Sequence, residues 1–181
     1  MKTVAGLVVA AVLVGGVAAR AQDASKMPAP QKEHVWLKQL EGEWVSESEA
    51  VMEPGKPPIK CKGTETVRTL GGFWSMAEMS NDFMGTSVIG VMTIGYDAQK
   101  KKYVGTWVCS MADWLCKYEG SVEGNVLTLE TEGPHPATGK LVKMKDVIEI
   151  KDKDHKVLTS LMQGEDGKWV TFMTMTSRRK K

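Results

Sequence analysis

Short apolar-and-polar runs, broken by turn residues at regular intervals, constrain this chain more than any other feature. From residue 43 onward the helical period disappears. The breaks are Pro54-Gly55-Lys56-Pro57-Pro58, Gly71-Gly72, Gly85, Ala98 to Lys101, Ala112-Asp113, Gly124-Asn125, Gly133 to Lys140, Asp152 to His155 and Gly164 to Gly167. Clusters of Gly, Pro, Asn and Asp between β-type runs are strand boundaries. They divide the chain into strands near 43–52, 59–70, 73–82, 86–96, 102–111, 114–123, 126–132, 141–150, 156–163 and 169–178. Short connections make successive strands antiparallel neighbours. About ten strands in sequential order predict an all-β, antiparallel up-and-down barrel, which removes sheet edges by closure. A two-sheet sandwich is the alternative. Before the strands, Val35, Trp36, Leu37 and Leu40 fit one short helix over Lys32 to Leu40.

Residues 1–21 have a different character. Lys2 is followed by an uncharged apolar run from Val4 to Val17, and Ala19-Arg20-Ala21 carries small residues at A-x-A spacing. This predicts a signal peptide cut before Gln22, a flexible leader over 22–31 and one barrel domain over 32–181. The expected location is extracytoplasmic, in the periplasm or secreted. The apolar run is short for a membrane span, so no stable membrane insertion is expected after cleavage. Removing Lys2 and Arg20 leaves 22 basic residues against 22 acidic ones. The predicted mature chain therefore has no basic excess, and nucleic acid is not an expected partner.

Turn lengths set register, and register sets which face each side chain takes. A four-residue loop at 98–101 pairs Tyr96 with Tyr103 and Met92 with Trp107. The Gly124-Asn125 turn places Leu127 and Leu129 inward. Reading Ala112-Asp113 as a two-residue loop sets Cys109 opposite Cys116, a possible disulfide, and Trp107 opposite Tyr118. On the eighth strand Lys143, Lys145 and Glu149 point out, leaving Val142, Met144, Asp146 and Ile148 inside. On the first two strands Trp44, Ser46, Ser48, Cys61, Gly63, Glu65 and Val67 point in. A tight Gly71-Gly72 turn then sets Glu65 opposite Glu78, Val67 opposite Met76 and Thr69 opposite Trp74.

Small inward residues leave room for a cavity in a barrel of this size. The expected lining is Trp74, Met76, Met92, Trp107, Tyr118, Leu129 and Met144, with Glu65, Glu78 or Asp146 as a polar anchor. Such a wall suits a small apolar or amphipathic molecule. Two alternatives stand beside this reading. Facing carboxylates at Glu65 and Glu78 form an acid/base pair or an oxygen-ligand metal site, or the interior is filled and the protein is an interaction scaffold. Met76-x-x-Met79 and Met173-x-Met175 read as core filling rather than copper ligation. His34, His135 and His155 assemble no catalytic triad, so no cofactor and no catalytic residue is assigned. Oligomeric state is left open.

Gly42-Glu43-Trp44 resembles the Gly-x-Trp signature that opens the first strand of lipocalins and related calycins. The segments 34–44, 52–58, 63–67, Gly71-Gly72-Phe73-Trp74, Gly95-Tyr96-Asp97, Gly105-Thr106-Trp107, Tyr118-Glu119-Gly120 and 127–134 resemble an uncharacterised bacterial calycin-like family. The resemblance spans about residues 34–178. It implies a lipocalin-like barrel in which Trp44 packs at the closed end and a late basic residue, Arg178, covers it. It carries no established activity.

Overall fold

The computed structural model describes residues 28–51, 55–135 and 138–181. The signal-peptide reading of 1–21 and most of the 22–31 leader fall outside them. One short helix, α1 (Lys32–Leu37), runs into a single 3-10 turn (Lys38–Leu40). Ten strands follow: β1 (Gly42–Ala50), β2 (Ile59–Leu70), β3 (Trp74–Phe83), β4 (Thr86–Asp97), β5 (Lys102–Cys109), β6 (Cys116–Glu123), β7 (Val126–Pro134), β8 (Leu141–Ile150), β9 (His155–Gln163) and β10 (Trp169–Arg179). Each pairs antiparallel with its sequence neighbours, and β1 pairs with β10, so the sheet closes in up-and-down order. The barrel expected from the turn spacing is the observed fold.

One end of the barrel is plugged by α1. His34, Leu37 and Leu40 are buried, and the helix is tied to three different parts of the wall. Tyr103 donates its hydroxyl to Glu33 O at 3.0 Å, Trp36 Nε1 donates to Gly124 O at 3.0 Å, and Trp44 Nε1 donates to Leu40 O at 2.9 Å. Six residues of isolated helix are not stable in water, so packing rather than propensity holds this turn. His34 packs edge-on against Phe73 and Tyr96, at 5.2 and 5.8 Å between ring centres.

Register confirms most of the expected interior and corrects two hairpins. Tyr96 faces Tyr103 and Met92 faces Trp107, and Leu127 and Leu129 are fully buried. The turn between β2 and β3, however, has three residues, Gly71-Gly72-Phe73, with Leu70 opposite Trp74. Both glycines have positive φ, 61° and 76°, a conformation that costs glycine little. Phe73 lies in the turn, with its ring edge-on to His34. The added residue reverses every side chain of β3. Ser75, Ala77 and Met79 face in, while Trp74, Met76 and Glu78 lie on the outer wall. Trp74 there covers Gly95, where any Cβ would strike its ring.

The β5–β6 connection is also longer than expected. Trp107, not Cys109, stands opposite Cys116, and Cys109 pairs with Gly90 on β4. This two-residue slip preserves the inward faces but removes the direct cysteine pairing. All three cysteines are free thiols.

The basic cover over Trp44 is Arg179, one residue beyond the expected Arg178. Trp44 is 1% exposed and pairs with Arg179 across the β1–β10 seam. The guanidinium lies 4.1 Å from the indole centre and donates to the carbonyls of Glu41, Gln39 and Lys153. Strand alternation turns Arg178 outward, opposite Val45. Arg179→Ala should therefore cost about 2 kcal/mol of stability through lost cation–π contact and hydrogen bonds. Arg178→Ala should stay within about 0.5 kcal/mol of wild type. Urea unfolding of the two variants distinguishes them.

Candidate functional site

The barrel interior divides into a charged floor and a cavity above it. At the floor, Glu65 of β2 and Lys156 of β9 form an ion pair at 2.5 Å, with side chains only 5% and 7% exposed. Their strands are separated by β1 and β10, so the pair reaches across the seam. Lys156 Nζ also sits 4.6 Å from the centre of Trp44. Trp44 thus holds two cations, Lys156 and Arg179, against its indole. Burial pulls the Lys156 pKa below the usual lysine value, against the opposing pull of Glu65. Beside the pair, a void of about 20 Å³ is bounded by Ser75, Ser177 and apolar side chains. The floor is packed, with space for no more than a water.

The cavity above it has a volume of about 280 Å³. Met79, Met92, Trp107, Met144, Phe172 and Met175 supply most of its apolar wall, and Asp146, Tyr118, Ser160, Thr131, Cys116, Ser48 and Asn81 its polar part. Local sequence choices make the space. Ser48 and Ser160 place small side chains where large ones would close it. At Gly90 an added Cβ would fall about 2.0 Å from the Trp107 ring, so that glycine lets the indole lie flat on the wall. A bulge between Thr171 and Met173 brings Phe172 as well as Met173 to the lining.

Asp146 is the centre of the polar region. Ser160 Oγ donates to its Oδ1 at 2.5 Å, and Tyr118 OH donates to its Oδ2 at 2.6 Å. Ser160 is its direct neighbour on β9. Tyr118 reaches it from β6, across β7, where Leu129 is completely buried. Burial pushes the Asp146 carboxyl up, against the two hydroxyl donors, which favour the charged form. Burial also raises Tyr118, which stays a protonated donor, and the Cys116 thiol, aided by the neighbouring Asp146. A thiol shifted in that direction is a poor nucleophile.

The sequence-predicted residues separate accordingly. Met92, Trp107, Tyr118, Met144 and Asp146 meet at the cavity. Leu129 lies in the core behind it, and Glu65 lies at the floor beneath it. Trp74, Met76 and Glu78 are outside. Glu65 and Glu78 therefore form neither an acid/base pair nor a metal site, since Glu65 faces Met79 and Glu78 faces Thr66. Among the described residues no group of three His, Cys, Asp or Glu side chains is placed to hold a metal ion. Sequence reasoning missed Lys156, Ser160, Met173 and Arg179. Period-two alternation through Lys156, Leu158 and Ser160 was the available signal, masked by a lysine beside the charged turn at 152–155.

The family model "Protein of unknown function (DUF1579)" matches residues 29–179, the whole barrel with its helix. The chain belongs to this family. No curated protein matches it. Among solved structures it is similar to Rv2717c from M. tuberculosis, with a TM-score of 0.60 at 13% identity, covering 84% of this chain and 100% of that one. It is also similar to the S-type phycobiliprotein lyase CPES from Guillardia theta, with a TM-score of 0.54 at 12% identity, covering 84% and 99%. At these identities the likeness is one of fold. The closed barrel that the Gly-x-Trp opening implied is the fold of this DUF1579 chain.

Two outcomes follow from the buried carboxyls. Lys156→Met should cost about 3–5 kcal/mol, because it leaves Glu65 buried without its partner, whereas the double change with Glu65→Leu should recover most of that; denaturant midpoints of the three variants measure it. Asp146, with a folded pKa above its ordinary value of 3.8, binds its proton more readily folded than unfolded. Its penalty is absent at low pH and builds as pH rises above 3.8 toward the folded value. Stability of Asp146→Asn relative to wild type should therefore improve over that rise, and thermal unfolding across the acid range tests the sign.

Proposed function

We propose that this protein is an extracytoplasmic barrel that binds a small, largely apolar molecule. The observation that carries the reading is the cavity itself. Its 280 Å³ lies close to the lower bound for small-molecule sites, about 300 Å³. Its wall is mainly thioether and aromatic, with a few converging polar groups at one side. Methionines adapt to ligand shape at little cost, and the packed floor gives the site a rigid base. The interior is therefore neither solid, as a pure scaffold would have it, nor organised around paired carboxylates. The location rests on Lys2, the Val4 to Val17 run and Ala19-Arg20-Ala21.

Native mass spectrometry of the protein from its own host's extracytoplasmic fraction tests both parts. The expected result is a chain starting at Gln22 that carries an extra mass lost on denaturation. Ser48→Leu, which narrows the cavity, should reduce that occupancy at least roughly ten-fold, as a few buried methyl groups are worth one to two kilocalories. A bare mass in wild-type protein, together with no change in intrinsic tryptophan fluorescence on adding apolar compounds, would refute ligand binding. A chain still carrying residues 1–21 would refute the processing.

A further inference from the structure

The interior holds two carboxyl groups with different compensation. Glu65 has a cation of its own, Lys156. Asp146 has only hydroxyls, and it is the one that lines the cavity. The groups facing Asp146 are Tyr118 and Cys116 from β6, Leu129 from β7 and Ser160 from β9. On its own strand, Lys143 and Lys145 alternate outward. None of the groups around it brings a positive charge, and Lys156 is committed at the floor.

An uncompensated buried carboxylate is costly, and a cation beside it removes much of that cost. A carboxylate has about four lone-pair sites, and two are taken here. Ser160 Oγ and the Tyr118 hydroxyl each keep acceptor lone pairs after donating to Asp146. Beside Asp146 these two hydroxyls have spent their protons and present only acceptors, while Thr131, Ser48 and Asn81 supply the rest of the polar lining. An ammonium offers three donors and no acceptor. The face of Trp107 and the polarizable thioethers of Met144 and Met173 complete surroundings that suit a cation with an apolar body. An anionic head, such as a fatty carboxylate, would instead meet Asp146 with like charge.

We propose that the ligand is a small apolar molecule bearing a protonated amine, whose ammonium group sits beside Asp146 and supplies the countercharge that the protein does not. This rests on the cavity being a ligand site. The direction of the Asp146 shift agrees, since a cationic ligand stabilises the carboxylate that burial disfavours. Binding tightens as pH rises through the Asp146 titration, while the amine stays protonated to about pH 10.

The test titrates the mature protein with matched probes: propyl-, hexyl- and octylamine, the corresponding alcohols and the corresponding carboxylates. Calorimetry and intrinsic tryptophan fluorescence, with a Trp107→Phe control to isolate the cavity signal, are the readouts. The expected result is that the best amine binds roughly ten-fold or more tighter than its alcohol, as one charge-assisted hydrogen bond contributes, with the carboxylate weakest. Asp146→Asn should abolish the difference between amine and alcohol affinity. Should that variant unfold, the wild-type pH series decides: amine affinity must rise with pH and alcohol affinity must stay level. Alcohols binding as tightly as amines, or a preference that survives Asp146→Asn, would overturn the ammonium assignment and leave the apolar site standing. Failure of all three probe classes to bind would overturn both.

Discussion

Everything inside this barrel depends on the seam where β1 meets β10. Closure sets Trp44 beside Arg179 and Ser46 beside Ser177, and it brings β2 and β9 near enough for Glu65 to meet Lys156. An open sheet would leave those two residues apart and expose both strand edges. The seam therefore does two things at once. It satisfies the backbone of the first and last strands, and it builds a floor in which one tryptophan lies against two cations. The α1 plug depends on the same place, since Trp44 holds Leu40 and Arg179 holds the carbonyls of Gln39 and Glu41.

The two ends of the interior treat polarity in opposite ways. The floor neutralises its charges internally and packs tightly around them. A buried pair of this kind contributes less net stability than geometry implies, because desolvation opposes attraction; its observed role is to place Trp44, Glu65 and Lys156 in one arrangement. The upper cavity keeps space, by small side chains at Ser48 and Ser160 and by Gly90 beneath Trp107. Its carboxyl is held by neutral hydroxyls alone. That difference separates a packed end from an open one within a single core.

The strand order, the antiparallel pairing and most inward faces were legible in the sequence because turn residues punctuate it and alternation has a period of two. The register of β4–β5 and of β6–β7 followed from loop length alone. The β2–β3 hairpin did not, because Gly71-Gly72 accommodates a two-residue or a three-residue turn, and Phe73-Trp74 offers an aromatic to either face. In the three-residue turn Phe73 lies edge-on to His34 of the plug, a contact between distant parts of the chain. Arg178 and Arg179 presented a similar ambiguity, settled by their pairing with Val45 and Trp44.

By itself the sequence determined an all-β meander, its strand count, the Trp44 opening and a cavity wall containing Met92, Trp107, Tyr118, Met144 and Asp146. These follow from local chemistry, in turns and alternation. Tertiary structure alone decided that Glu65 meets Lys156 rather than Glu78, that Asp146 is served by Ser160 and Tyr118, and that Phe172 joins the lining through a bulge. Those contacts join residues far apart in the chain, and a difference of one residue in a turn reverses a whole strand. Local pattern carries no information about which of two adjacent residues a distant side chain will hold.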